Sequence, residues 1–207
     1  MSKLKAILFN CTLKAAGERS STHAMLSKVE AALAKRDVRC ETVHAAGAGI
    51  KFGTDSDMGD GDGWPKLHDA ILESDILVIG TPIWFGQRGS VCQMVLERID
   101  SMLSQTNAKG QYPLYNKVAG VCVVGNEDGA QHVGSTILYN LMQTGATIPP
   151  NAEAYWVGPA GGRDDFVDVA LDDPYPNKMA AMMASNLVTL ANLLKDHPIP
   201  VDENTAE

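Results

Sequence analysis

Apolar runs and helical patterns take turns along this chain. Ala6-Ile7-Leu8-Phe9 has no polar side, as expected of a parallel strand covered by helices on both faces. After a polar loop from Asn10 to Ser21, Met25, Leu26, Val29, Ala32 and Leu33 recur at helical spacing, with Ser20, Ser21 or Thr22 available as the N-cap. Val38–Val43 predicts a weaker second strand, followed by a long Gly- and Asp-rich loop from Gly47 to Gly63. Pro65 suits the first turn of a short helix reaching Glu73, and Ile76–Gly80 is the clearest central strand. Val91, Val95, Ile99 and Met102 mark the next helix, Val118–Val124 a fourth strand, and Ile137, Leu138, Leu141 and Met142 a helix that Gly145 terminates. Ala152–Val157 is a fifth strand, which Glu153 interrupts; 158–176 looks irregular, and Met179, Met183, Leu187, Leu190 and Leu194 form the buried face of the last helix.

Strands alternating with helices predict an α/β domain: a flavodoxin-like, doubly wound sheet of five parallel strands in the order 2-1-3-4-5, with helices on both faces. A single domain spans residues 1–196, and 197–207 is expected to be a loose tail.

Composition narrows the function. With 207 residues, 45 % hydrophobic and 20 % charged, the chain has the usage of a globular domain, not of a disordered or fibrous one. The formal net charge of −8 disfavours nucleic-acid and anionic-membrane partners. Cys11, Cys40, Cys92 and Cys122 are dispersed, without CxxC or His clusters, so no metal or iron–sulfur site is expected. Free thiols, together with an N-terminal apolar stretch too short for a signal peptide, make a cytoplasmic location the expectation. Met179–Leu194 is too polar and too short to span a bilayer. The five histidines show no ligand spacing, although His132 lies in a loop where it can touch substrate. Asp55–Asp62 fails as a calcium loop because Lys66 stands where a Glu is required, and it reads as a flexible loop near the active site.

In a doubly wound sheet ligands bind at the carboxyl ends of the strands, at the switch point between the first and third. Three loops meet there. Asn10–Thr22 places Thr12, Ser20, Ser21 and Thr22 at a helix start, with Lys14 and Arg19 nearby: an anion site suited to a phosphate monoester, where simple capping accounts for only one hydroxyl. There is no triphosphate P-loop, and Gly47–Phe52 fails as a dinucleotide fingerprint. Thr81-Pro82-Ile83-Trp84-Phe85-Gly86 sets two aromatics beyond the best strand, to stack on a flat ring, to be covered by a partner subunit, or merely to cap the sheet. Gly125-Asn126-Glu127-Asp128-Gly129 adds amide and carboxylate groups, or is only a solvated turn.

On these three loops the chain resembles the NADPH-dependent FMN reductase and flavodoxin-like NAD(P)H:quinone oxidoreductase family from about Lys5 to Trp156. The resemblance implies that Thr12, Lys14, Ser20, Ser21 and Thr22 hold the FMN phosphate. It implies that Thr81, Pro82, Ile83, Trp84, Phe85 and Gly86 wrap the isoalloxazine ring, and that Gly125, Asn126, Glu127 and Gly129 close its other edge. It further implies an NAD(P)H-dependent flavin oxidoreductase in which hydride passes from NADPH or NADH to the flavin and on to a quinone-like or other flat small-molecule acceptor. No side chain is required as catalytic acid or base. Two alternatives share the fold: a flavodoxin-type electron carrier without nicotinamide turnover, and a cofactor-free binding module. Trp84, Phe85 and the Met-rich last helix make a homodimer or homotetramer the expected assembly.

Overall fold

The computed structural model describes residues 3–206. Five parallel strands, β1 (Lys5–Asn10), β2 (Arg39–His44), β3 (Ile76–Trp84), β5 (Val118–Gly125) and β6 (Glu153–Val157), form a sheet in the order β2-β1-β3-β5-β6. This is the expected path; the numbering shifts because a two-residue strand, β4 (Gln87–Arg88), folds back antiparallel on the end of β3.

Alternation along each strand divides two cores. Ala6, Leu8, Ile76 and Val78 face α1 (Ser21–Ala34) and α6 (Pro174–Asp196), where Leu26, Val29, Met183 and Leu187 are buried. Ile7, Phe9, Leu77 and Ile79 face α2 (Trp64–Glu73), α3 (Ser90–Asp100) and α4 (Ala130–Gln143) through Ile71, Val95, Ile99 and Ile137. Both faces of β1 and of the first part of β3 are therefore dry, which is why these segments carry no polar alternation.

Four expectations are corrected. β3 does not stop at Gly80 but pairs with β5 through Thr81↔Val123 and Pro82↔Val124. A proline is tolerated there because β1 has ended: Gly80 accepts the Cys11 N–H at 2.9 Å, and Pro82 directs its missing N–H to the same, now vacant, side. The last helix begins at Pro174, capped by Asp173 Oδ1 accepting from Tyr175 N at 2.8 Å, and a short helix α5 (Phe166–Val169) interrupts the irregular stretch before it. The Gly47–Gly63 loop is pinned rather than flexible. Arg98 on α3, fully buried, donates to Asp62 at 2.7 Å, to Lys51 O at 2.8 Å and to Asp55 O at 3.0 Å. Finally, residues 197–206 are tied to the body: Ile199 N donates to Asn116 Oδ1 at 2.7 Å and Ala206 N to Gly110 O at 2.9 Å.

Candidate functional site

The loops after β1, β3 and β5 enclose a crevice of about 400 Å³ at the carboxyl edge of the sheet. Of the residues singled out from the sequence, it brings together Thr12, Lys14, Ser20, Ser21, Thr22, Pro82, Ile83, Trp84, Gly125, Asn126 and Glu127. Thr81, Phe85, Gly86 and Gly129 do not line it.

At one end lies the first turn of α1, whose leading N–H groups have no partner within the helix. Ser20 is the N-cap, its Oγ accepting from His23 N at 3.2 Å. The next hydroxyl, Ser21 Oγ, is buried and has no hydrogen-bond partner. The approach loop is held by its own side chains: Asn10 Oδ1 accepts from Thr12 N at 3.2 Å and Thr12 Oγ1 from Lys14 N at 3.3 Å. His44 Nε2 lies 3.0 Å from Lys14 O and ties the loop to β2. Lys14 Nζ donates to Arg19 O at 2.9 Å. Arg19 turns away from the crevice to Asp168 and the Val167 carbonyl, so Lys14 alone of the two expected cations lines the site.

The β3 loop forms one wall. Thr81 is buried and shapes the turn, its Oγ1 accepting from Gly89 N at 3.1 Å. Trp84 is half exposed at the crevice, whereas Phe85, in the left-handed region at φ 51°, is 95 % exposed and points away. The β3 and β5 loops are coupled: Glu127 Oε2 accepts from Gly86 N at 3.2 Å, and Gly129, at φ +113°, approaches so closely that a Cβ there would lie 3.1 Å from Gly86. Gly86 and Gly129 therefore set the shape of the wall from behind. His132 lies outside the crevice with its Nε2 3.2 Å from Gln87 Nε2.

A strap after β6, which sequence periodicity did not reveal, covers the crevice with Gly161, Gly162, Asp165 and Phe166; Trp156 underlies it. Asn126 anchors the strap, donating from Nδ2 to Asp164 O at 2.9 Å, while its Oδ1 is buried and unpartnered. The strap has no helical or strand period; Trp156, directly at the carboxyl end of the fifth strand, was its one legible signal. Cys11 lies in the core, not in the crevice, and burial together with nearby Cys92 pushes its thiol well above the ordinary range, which disfavours the thiolate.

The two orphaned groups define what fits. Ser21 Oγ, at a helix N-terminus beside Lys14, suits an anionic oxygen; Asn126 Oδ1, across the crevice, needs a donor. A flat molecule with a phosphate tail and a ring edge bearing N–H meets both demands, and FMN is such a molecule.

Sheet order and site together define a flavodoxin-like protein. The family model "NADPH-dependent FMN reductase" matches residues 4–159, and the chain belongs to that family. It is a flavoprotein of an oxidoreductase family, with FMN and NADPH or NADH as the family's cofactors. A curated relative, 8-demethyl-8-aminoriboflavin-5'-phosphate synthase of Streptomyces davaonensis, is 37 % identical over 96 % of this chain and 81 % of its own length. The crystal structure of RosB with bound 8-demethyl-8-formylriboflavin-5'-phosphate superposes with a TM-score of 0.87 at 37 % identity, covering 95 % of this chain and 82 % of that one. A flavodoxin from the domain Archaea, 13 % identical over 89 % of this chain and 99 % of its own, shares the fold with a TM-score of 0.55. Among the described residues no helix is long and apolar enough to cross a membrane.

Proposed function

We propose that this protein is an NAD(P)H-dependent FMN oxidoreductase that reduces a small flat acceptor such as a quinone. The observation that carries it is the buried, partnerless Ser21 hydroxyl at the first turn of α1, inside a crevice walled by the β3 and β5 loops. When bound, FMN would supply the hydride chemistry. The chain's own residues do the rest. Ser21, Thr22, Thr12 and the α1 N-terminus take the phosphate, and Lys14 offsets its charge. Pro82, Ile83 and Trp84 present an apolar wall to the ring, with Gly125, Asn126 and Glu127 at its other edge. Asn126 Oδ1 accepts a ring N–H, and the strap held by Asn126 Nδ2 limits water access from that side. Nicotinamide and acceptor use the open side, beside half-exposed Trp84. The test is anaerobic mixing of the FMN-loaded protein with NADPH and, separately, with NADH; a flavin that stays oxidised under both would make it a flavodoxin-type carrier.

The 37 % identity to a synthase whose name is that of a modified FMN favours a second reading, in which flavin is the substrate altered in this crevice. Mass analysis of the flavin recovered after turnover separates the two: an unchanged mass supports the oxidoreductase, a changed one the flavin-modifying enzyme. A homodimer or homotetramer, with the exposed Phe85 and the outer side of α6 facing a partner, completes the proposal.

A further inference from the structure

A second cavity, of about 550 Å³, shares no lining residue with the first. It follows β6, the edge strand of the sheet, between α4 and the start of α6. Leu138, Ile148, Pro149, Met179 and Met182 make its walls apolar. Glu153 lines it with its carboxyl group, one oxygen of which, Oε1, is buried against α4 without a hydrogen-bond partner. Helix α4 makes room for that group: at Gly134 a Cβ would stand 2.3 Å from Oε1. Glycine inside a helix is less stable than alanine, and a buried polar atom left unpaired is costly. The fold carries both costs at one spot.

A cation in the cavity, beside the carboxyl group, favours its charged form. Among the described residues no cation lies within ion-pair distance of Glu153; Lys178 sits exposed on the rim. The carboxylate repels anions, a neutral apolar guest leaves it without a counter-charge, and among the described residues no group of three ligands could hold a metal ion. Tyr155 and Tyr175, meeting edge to face with centroids 6.3 Å apart, supply the aromatic surface that cations favour. We propose that this cavity binds a small organic ammonium, a primary amine on an apolar or aromatic body, with Glu153 as its counter-ion. The body packs on Leu138, Met179 and Met182. This site is independent of the flavin assignment.

Proton linkage follows. Burial pushes the Glu153 carboxyl up to about 7. The groups facing it are Tyr155 on its own strand, Cys122 on β5, and Tyr175 and Lys178 on α6; α4 faces it with the uncharged Gly134 and Leu138. An amine with a pKa near that of lysine, about 10.4, is charged throughout the neutral range and selects the ionised carboxylate. Its affinity should fall roughly tenfold from about pH 8 to about pH 6, with a proton released on binding only at the lower pH.

The experiment is calorimetric titration of the whole protein with 2-phenylethylamine and its neutral analogue 2-phenylethanol, at both pH values and in two buffers of different ionisation heat. The amine should bind at least roughly tenfold more tightly than the alcohol at the higher pH, release a proton at the lower one, and lose its advantage in Glu153→Gln. Failure of the amine to bind, equal binding of both probes, or a Glu153→Gln protein that still prefers the amine would overturn the proposal. Should that variant fail to fold, the amine-to-alcohol comparison and the proton count on the unaltered protein decide alone.

Discussion

Lys14 Nζ lies 3.6 Å from Asp165 Oδ2, so the cation that lines the phosphate end of the crevice among the described residues is already engaged by a carboxylate of the strap. An arriving phosphate competes with Asp165 for that ammonium. Both side chains are nearly half exposed, which keeps the pair within about 1 kcal/mol. Asp165→Asn should therefore tighten FMN binding up to about fivefold and leave riboflavin, which has no phosphate, unchanged. Fluorescence-quenching titrations with the two flavins measure the difference.

Ser21 and Ser20 are neighbours with separable roles. Ser21→Ala removes a hydrogen bond to a charged phosphate and should weaken FMN binding by about 1.5–3 kcal/mol without lowering the stability of the apoprotein. Ser20→Ala removes the α1 cap and should cost about 1 kcal/mol in a urea unfolding midpoint. Equal effects of the two on both assays would contradict the placement of the phosphate.

Trp84 is half exposed at the crevice and absent from both buried cores. Trp84→Ala should change the visible flavin spectrum and turnover while shifting the thermal midpoint little. A large loss of stability with a normal flavin spectrum would instead make Trp84 a cap on the sheet.

The Arg98–Asp62 pair is wholly buried, and truncating one partner leaves the other unpaired. Arg98→Met should cost about 3–5 kcal/mol and release the 51–62 loop, read as lost hydrogen-exchange protection there. Burial alone would raise the Asp62 carboxyl; the Arg98 guanidinium and the N–H groups of Met58, Lys51 and Trp64 outweigh it and hold the carboxyl well below the usual range. A carboxyl depressed in the folded state gives stability that is full above its unfolded value of about 3.9 and drains away as pH falls below it. Acid unfolding of Asp62→Asn should accordingly lack that portion of the pH dependence.

The parallel sheet was legible because its central strands are dry on both sides, so Ile7-Leu8-Phe9 and Ile76–Ile79 stand out without alternation. The crevice was legible where hydroxyls cluster at a helix start and where Trp84 follows the strongest strand. Less visible were features made by partners far apart in the chain. Arg19 meets Asp168 across 149 positions, and nothing local tells a phosphate-binding arginine from one that anchors a strap. Asp62 sits in a Gly- and Asp-rich run whose composition signals mobility, yet one arginine on α3 orders it. Glu153 reads from the sequence as a flaw in a strand; only the fold shows the helical glycine that accommodates it.

An FMN held in the crevice should be reduced by a nicotinamide. Anaerobic stopped-flow mixing of the FMN-reconstituted protein with excess NADPH, and separately with NADH, tests it most directly. The visible absorbance of the oxidised flavin should be lost with at least one of the two donors and return on adding a quinone. A protein that takes up no FMN, or whose bound flavin stays oxidised under both donors, would contradict it.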